Sequence, residues 1–172
     1  MVVGWLRESK LSAGILMVLR VWLGYTWVTS GWGKITGGFK SEGFLKGALG
    51  KATGDHPAVQ SWWANFIEGF ALPNSTWFDI LIPWGEFLVG IALIAGIFTT
   101  FAGLMGITMN FAFLFSGTTS INPQMVLFTI FLLVAGRNAG RYGLDVYILP
   151  LLDKWFHREH QIAVYNGKNR AS

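Results

Sequence analysis

Long apolar runs, each interrupted near its middle by a strongly polar side chain, set the pattern of this chain. Leu11 to Gly31 carries Arg20, Trp77 to Phe98 carries Glu86, and about Thr100 to Phe115 carries Asn110. A fourth run, about 121–139, opens with Asn122 as an N-cap and Pro123 at the first helical position. About 20 apolar residues cross the ~30 Å hydrocarbon core of a bilayer as a helix, so the pattern predicts four membrane spans. The few residues around Thr99 and Thr100 force the second and third into an antiparallel hairpin. The expected fold is all-α: an integral membrane four-helix bundle forming one domain.

Two amphipathic stretches lie outside the runs. In the loop over 33–76, Ser41 to Lys51 predicts a short helix bearing Phe44, Leu45 and Leu49. Asp55 is placed to cap a second helix, with Pro57 in its first turn and Val59, Trp62, Trp63, Phe66, Ile67 and Phe70 on one face. So aromatic a face belongs on the bundle mouth or among lipid headgroups, as an interfacial anchor or a lid over a binding site. The C-terminal segment 143–157 has the same character, broken at Pro150, and is expected to lie along the membrane interface.

Composition agrees, with 52% hydrophobic and 13% charged residues where soluble domains run near 25% charged. The chain has no cysteine, which excludes disulfides, thiol redox chemistry and cysteine-held metal centres within it. His56, His157 and His160 all lie outside the apolar runs, so neither a bis-histidine haem nor any other metal is expected inside the membrane. Redox chemistry here would need a bound organic carrier or a second subunit.

An even number of spans puts both termini on one side. That side collects Arg7, Lys10, Arg137, Arg141, Lys154, Arg158, Lys168 and Arg170, against Lys34, Lys40, Lys46 and Lys51 on the other. Eight against four places both termini in the cytoplasm. The basic balance reflects this topology, and no nucleic-acid partner is expected. Arg20 within the first run, and bulky Trp32 after it, favour a retained helix over a cleaved signal peptide.

Charge near the bilayer centre is costly and normally faces a partner or a wet cavity. At ~1.5 Å rise per residue, Arg20 lies about 13 Å from the inner end of its span, Glu86 about 13 Å from the outer end, and Asn110 about 15 Å from the inner end. This counting puts the three at one level, with Arg20 and Glu86 as partners. Two readings fit: an ion pair that fixes helix register, or a polar pocket that hydrogen-bonds a quinone-like ring or relays protons. Tyr25, Asp79 and Trp84 could widen the pocket outward, with Trp32 and Lys34 at its entrance. Ala92 with Gly96, and Ala102 with Gly106, are small residues four apart that allow close helix contact within the hairpin. No phosphate loop, metal-ligand pair or nucleophile motif is present, and Gly31-Trp32-Gly33-Lys34 lacks the strand a phosphate loop needs.

The arginine of the first span, the Ser30-Gly31-Trp32-Gly33-Lys34 exit, Glu86 within Pro83-Trp84-Gly85-Glu86, and Gly136-Arg137-Asn138-Ala139-Gly140-Arg141-Tyr142-Gly143-Leu144-Asp145 together resemble the DoxX/DoxD-like membrane proteins. The long aromatic loop and Asn122-Pro123-Gln124-Met125 look closer to the DoxD branch, the membrane subunit of archaeal thiosulfate:quinone oxidoreductase. The resemblance implies a multi-pass protein of a prokaryotic cell membrane that binds quinone and works with a redox subunit such as DoxA. Within these residues no DoxA-like domain is expected, so the redox subunit would be a separate chain. By this reading Arg20 and Glu86 are the catalytic pair, with Asn110, Tyr25, Trp32, Lys34, Trp84 and Asp79 around the quinone. The alternative is a non-catalytic membrane scaffold or a small-molecule or lipid carrier, with a structural Arg20–Glu86 pair. A transport role would require a homodimer to build a pathway.

Overall fold

A computed structural model describes residues 1–155. All regular structure among these residues is helical. A short helix α1 (Val2–Glu8) precedes α2 (Lys10–Thr36). Ser9 separates them in extended conformation, and its hydroxyl accepts hydrogen bonds from the Leu11 and Ser12 amides that the first turn of α2 leaves without partners. The 27 residues of α2 carry it five positions beyond Gly31.

The following loop contains α3 (Ser41–Gly50) and α4 (Ser61–Phe66), and α4 runs directly into one turn of π-helix, Ile67–Ala71. The Asp55 cap does not form, because α4 begins only after Gln60. Pro57 disfavours helical geometry at His56, and Gly54 has a positive φ of 100°, so 52–60 is turns.

Next come α5 (Ser75–Ala95) and α6 (Thr99–Phe115), with Gly96 in left-handed conformation ending α5 three residues before the expected limit. Helix α7 (Asn122–Ala135) passes into a 3₁₀ turn, Gly136–Gly140, so the last run is not one helix to residue 139. Asn122 is its first helical residue rather than its cap, and its side chain turns back to the Thr118 carbonyl. A final helix, α8, covers 145–155 and continues through Pro150, where a break was expected. Residues 156 and 157, the expected end of this segment, lie outside the described residues, as do His160 and, from the charge count, Arg158, Lys168 and Arg170.

The four longest helices touch in a cycle: α2 packs on α5, α5 on α6, α6 on α7, and α7 on α2. Leu16, Leu23, Trp27, Leu93 and Leu132 lie at the centre of the shared core. A smaller apolar cluster, Leu45, Ala48, Ile67 and Ala71, fixes α3 against the π turn. The closest crossing is between α2 and α5. A Cβ on Gly24 would lie 2.7 Å from the Gly90 carbonyl, and one on Gly31 would lie 2.5 Å from the Phe87 amide. Gly24, Gly31 and Gly90 are therefore the small residues that set helix approach. Gly96 instead ends its helix, while Gly106 lies against Val89 of α5 within the hairpin and against Trp27 of α2.

Two helices, α2 and α5, are long and apolar enough to cross a membrane, and α6 is a shorter apolar helix. Their outward faces expose Val18, Leu81, Leu88, Ile91, Phe101 and Leu104, while Arg20, Glu86, Asn110 and Thr129 are turned inward and buried. Charge inside and hydrocarbon outside is the reverse of a soluble protein.

Candidate functional site: a polar cavity at the Lys34–Glu86 pair

Lys34, in the last turn of α2, and Glu86, near the middle of α5, meet across the glycine crossing. Lys34 Nζ donates to Glu86 Oε2 at 2.6 Å and Oε1 at 2.8 Å, and to Ser30 Oγ at 2.8 Å. Ser30 Oγ in turn donates to Glu86 Oε2 at 2.9 Å. Ser30 stands one turn before Lys34, so both project from the same face of α2 toward the carboxylate. Gly31 between them lets the α2 backbone lie against Pro83 and Phe87, which brings these side chains within reach of Glu86. The carboxylate is fully buried, while the lysine side chain keeps about a quarter of its surface exposed.

This exposed side of the pair borders a cavity of about 550 Å³, within the roughly 300–1,000 Å³ range of small-molecule sites. Phe39, Phe44 and Phe113 give it flat aromatic walls, and Thr118, Ser120 and Asn122 bring polar groups from the α6–α7 turn and the start of α7. Lys34 Nζ also lies over the Phe113 ring at 5.6 Å and the Phe39 ring at 5.9 Å, so the cation is shared between carboxylate and π faces. The pair is electrically neutral as a unit. The cavity thus offers hydrogen-bond donors and aromatic surface without a net anionic or cationic charge at its centre, an arrangement matched to a neutral, planar, acceptor-bearing ligand.

Asn110 belongs to the back of this region. Asn122 Nδ2 donates to the Thr118 carbonyl, which leaves Asn122 Oδ1 to accept from Asn110 Nδ2 at 2.9 Å. Asn110 Oδ1 and the Trp27 indole N–H remain without partners. Trp27, Asn122 and Met125 line the cavity, so Asn110 acts on it through Asn122.

Arg20 does not pair with Glu86. Fourteen residues before Lys34 on α2, about 21 Å along the axis, it donates through Nη2 to the Tyr142 carbonyl at 3.0 Å, against Gly96 and Gly143. Its opposite charge is Asp145, whose carboxylate accepts from the Phe98 amide at 2.6 Å and the Thr99 amide at 2.9 Å, capping α6. Leu144 and Asp145 also donate backbone hydrogen bonds to Ala95 and Gly96. Arg20 thus belongs to a clasp that holds the segment after α7 against the α5–α6 turn. Asn138 extends the clasp, donating to the Leu6 and Ser9 carbonyls and to Ser12 Oγ.

The remaining expected residues disperse. Asp79 accepts from the Ser41 amide at 2.7 Å and from Lys40 at 3.1 Å, anchoring α3. With Trp84 and Lys34 it borders a separate shallow groove of about 240 Å³. Trp32 packs on Phe87 at the exposed surface, and Tyr25 is exposed outside the cavity lining. Ser30, Phe39, Phe44 and Phe113 were not among the expected site residues, although Ser30 stood in the quoted exit motif and Phe44 on the amphipathic loop helix. The four-residue spacing of Ser30 and Lys34 was the available signal for the serine, and Phe39 and Phe113 carried none. No cluster of three or more potential metal ligands occurs among the described residues.

Comparison with curated proteins and with solved structures gives no match. The DoxX family model matches residues 15–118, which takes in the glycine crossing, Ser30, Lys34, Glu86 and Asn110, and by that match the chain belongs to the DoxX family.

Proposed function

We propose that the protein is a quinone-binding membrane subunit of an oxidoreductase, with α2, α5, α6 and α7 spanning the bilayer as a bundle and both termini cytoplasmic. The observation that carries this reading is the buried Glu86 carboxylate held by half-buried Lys34 and Ser30 on an aromatic-walled cavity of about 550 Å³. A quinone presents two carbonyl acceptors on a neutral flat ring, and it supplies two-electron chemistry coupled to protons. Lys34 Nζ, whose three N–H groups point at Glu86 Oε1, Glu86 Oε2 and Ser30 Oγ, gives up its bond to Ser30 to donate to one ring oxygen, while Phe39, Phe44 and Phe113 hold the ring faces and the Thr118 and Ser120 hydroxyls donate from the α6–α7 turn. Glu86 Oε2 is the carboxylate oxygen that takes up or releases a proton, with Ser30 Oγ as its neighbour in the chain of hydrogen bonds. Electrons come from a separate DoxA-like or other redox subunit. Thiosulfate is the first donor to screen, and a homodimer is one arrangement to examine.

The scaffold or carrier alternative starts from the lack of an intrinsic redox centre in the chain and from its large apolar interfacial surface; the structural Arg20–Glu86 pair it included does not form, and the aromatic-walled polar cavity is the observation that favours the quinone reading over it.

The test is quinone occupancy. Protein purified in mild detergent is extracted with solvent, and quinone is quantified by mass spectrometry. Near-stoichiometric quinone is expected in the wild type and in Tyr25→Phe, with loss from folded Glu86→Gln and Lys34→Gln. Wild-type protein that carries no quinone above the detergent-borne lipid background and binds none when it is added would overturn the proposal.

A further inference from the structure

An apolar slot of about 220 Å³ adjoins the polar cavity, and the two share Phe44 and Phe113 as a common wall. The rings meet edge to face, with centroids 5.8 Å apart and planes at 88°. One side of Phe113 receives Lys34 Nζ, while Phe44, on α3, belongs to the apolar cluster that holds the loop down. The shared wall is therefore formed by a pair of ring side chains.

The slot has no unmet polarity. Trp63 Nε1 donates to Ser116 Oγ, Ser116 Oγ donates to the Ala112 carbonyl, and Thr108 Oγ1 donates to the Leu104 carbonyl. What remains is hydrocarbon: Ile67, Ala71, Leu81, Met109 and Ala112 form its floor and mouth. Ile67 and Ala71 come from the π turn, whose wider geometry is common at functional positions. Leu81, at the mouth, is 63% exposed on the apolar exterior of α5.

We infer that the cavity's ligand is an amphiphile whose ring lies beside Lys34 and Glu86 and whose hydrocarbon tail passes Phe44 and Phe113 into this slot. The inference rests on the ring-binding reading above and adds the tail, its seat and its passage. Polar cavity, aromatic divider, apolar slot and apolar exterior follow one another in space, in the order of polarity of a ring with a tail.

The test compares two probes on the purified full chain at one fixed detergent concentration: 2,3-dimethoxy-5-methyl-1,4-benzoquinone, and the same ring bearing a decyl tail. The variants are Ala112→Phe, which fills the slot, and Leu81→Trp, which narrows its mouth from an exposed position and leaves the core undisturbed. The tail is expected to tighten binding to the wild type by at least about tenfold, the worth of roughly two buried methylenes. Both variants are expected to lose most of that gain, while affinity for the tail-free ring stays within about twofold of the wild type. A gain that survives both substitutions places the tail elsewhere and overturns the inference. Equal wild-type affinity for the two probes also overturns it while leaving the ring site standing. Failure of both probes to bind wild-type protein removes the ring site and the tail seat together.

Discussion

Lys34 Nζ and Glu86 Oε2 lie 2.6 Å apart on two helices whose backbones are held in contact by glycine. A buried pair of this kind is costly to desolvate, and removal of one partner leaves an uncompensated charge. Lys34→Met is expected to destabilise the folded protein by roughly 3 kcal/mol, with Lys34→Met/Glu86→Leu recovering most of that loss. Thermal unfolding in detergent of the two singles and the double supplies the coupling energy. Additive losses across the cycle would falsify a tight pair.

The glycine crossing makes a prediction at two positions of one helix. Gly31 has the Phe87 backbone within 2.5 Å of where a Cβ would stand, whereas nothing lies within 4 Å of the same position on Gly33. Gly31→Ala forces α2 and α5 apart and should cost roughly 1–3 kcal/mol. Gly33→Ala gains helix propensity and should stabilise by roughly 0.5–1 kcal/mol. Opposite signs in melting temperature are the expected result. A neutral Gly31→Ala is incompatible with the close approach.

The same crossing explains what could and could not be read from the residues. The apolar runs marked the long helices because hydrocarbon outside and polar groups inside leave a composition signal. Depth counting then paired Arg20 with Glu86 because it began from assumed span ends and ignored rotation about each axis. Gly24 against Gly90 and Gly31 against Phe87 fix the α2–α5 register. Arg20 consequently meets Gly96 and Ser30 meets Glu86, and Gly96 lies ten residues from Glu86, about 15 Å along α5. Lys34 was assigned to the entrance because α2 was ended at Gly31, yet one more helical turn carries it to the carboxylate. Asp145 stood in the quoted terminal motif, but its role depends on a long-range contact with the α5–α6 turn that no local periodicity encodes.

That turn contains a strained residue. Phe98 has φ 48° and ψ 44°, left-handed geometry that normally costs a residue with a Cβ roughly 1–2 kcal/mol. Its amide is held by Asp145 Oδ1 whatever the side chain. Phe98→Asn, which tolerates the conformation and keeps the amide donor, is expected to raise stability by about 1 kcal/mol. Chemical denaturation of the two proteins in matched micelles measures the difference, and a loss would mean that the exposed ring contributes more than the strain it carries.

Arg20 and Asp145 predict an order of effects about four turns of α2 away from Lys34. Asp145 supplies both acceptors for the Phe98 and Thr99 amides, so Asp145→Ala removes two charge-assisted bonds at the start of α6 and leaves Arg20 without its opposing charge. Bonds of this type contribute roughly 1.5–3 kcal/mol each, which puts the loss at about 3 kcal/mol or more. Arg20 makes one hydrogen bond, to Tyr142, while its Nε and Nη1 are buried without partners. Arg20→Met therefore removes an incompletely satisfied cation and leaves the α6 cap intact, at a smaller cost than Asp145→Ala. Quinone occupancy in folded Arg20→Met should remain at the wild-type level, because the clasp lies about 21 Å from Lys34 along α2. Unfolding midpoints give the first comparison and solvent extraction the second. Collapse of Arg20→Met beside a near-neutral Asp145→Ala would reverse the assignment of which side chain holds the clasp, and loss of quinone from a stable Arg20→Met would return Arg20 to the ligand site.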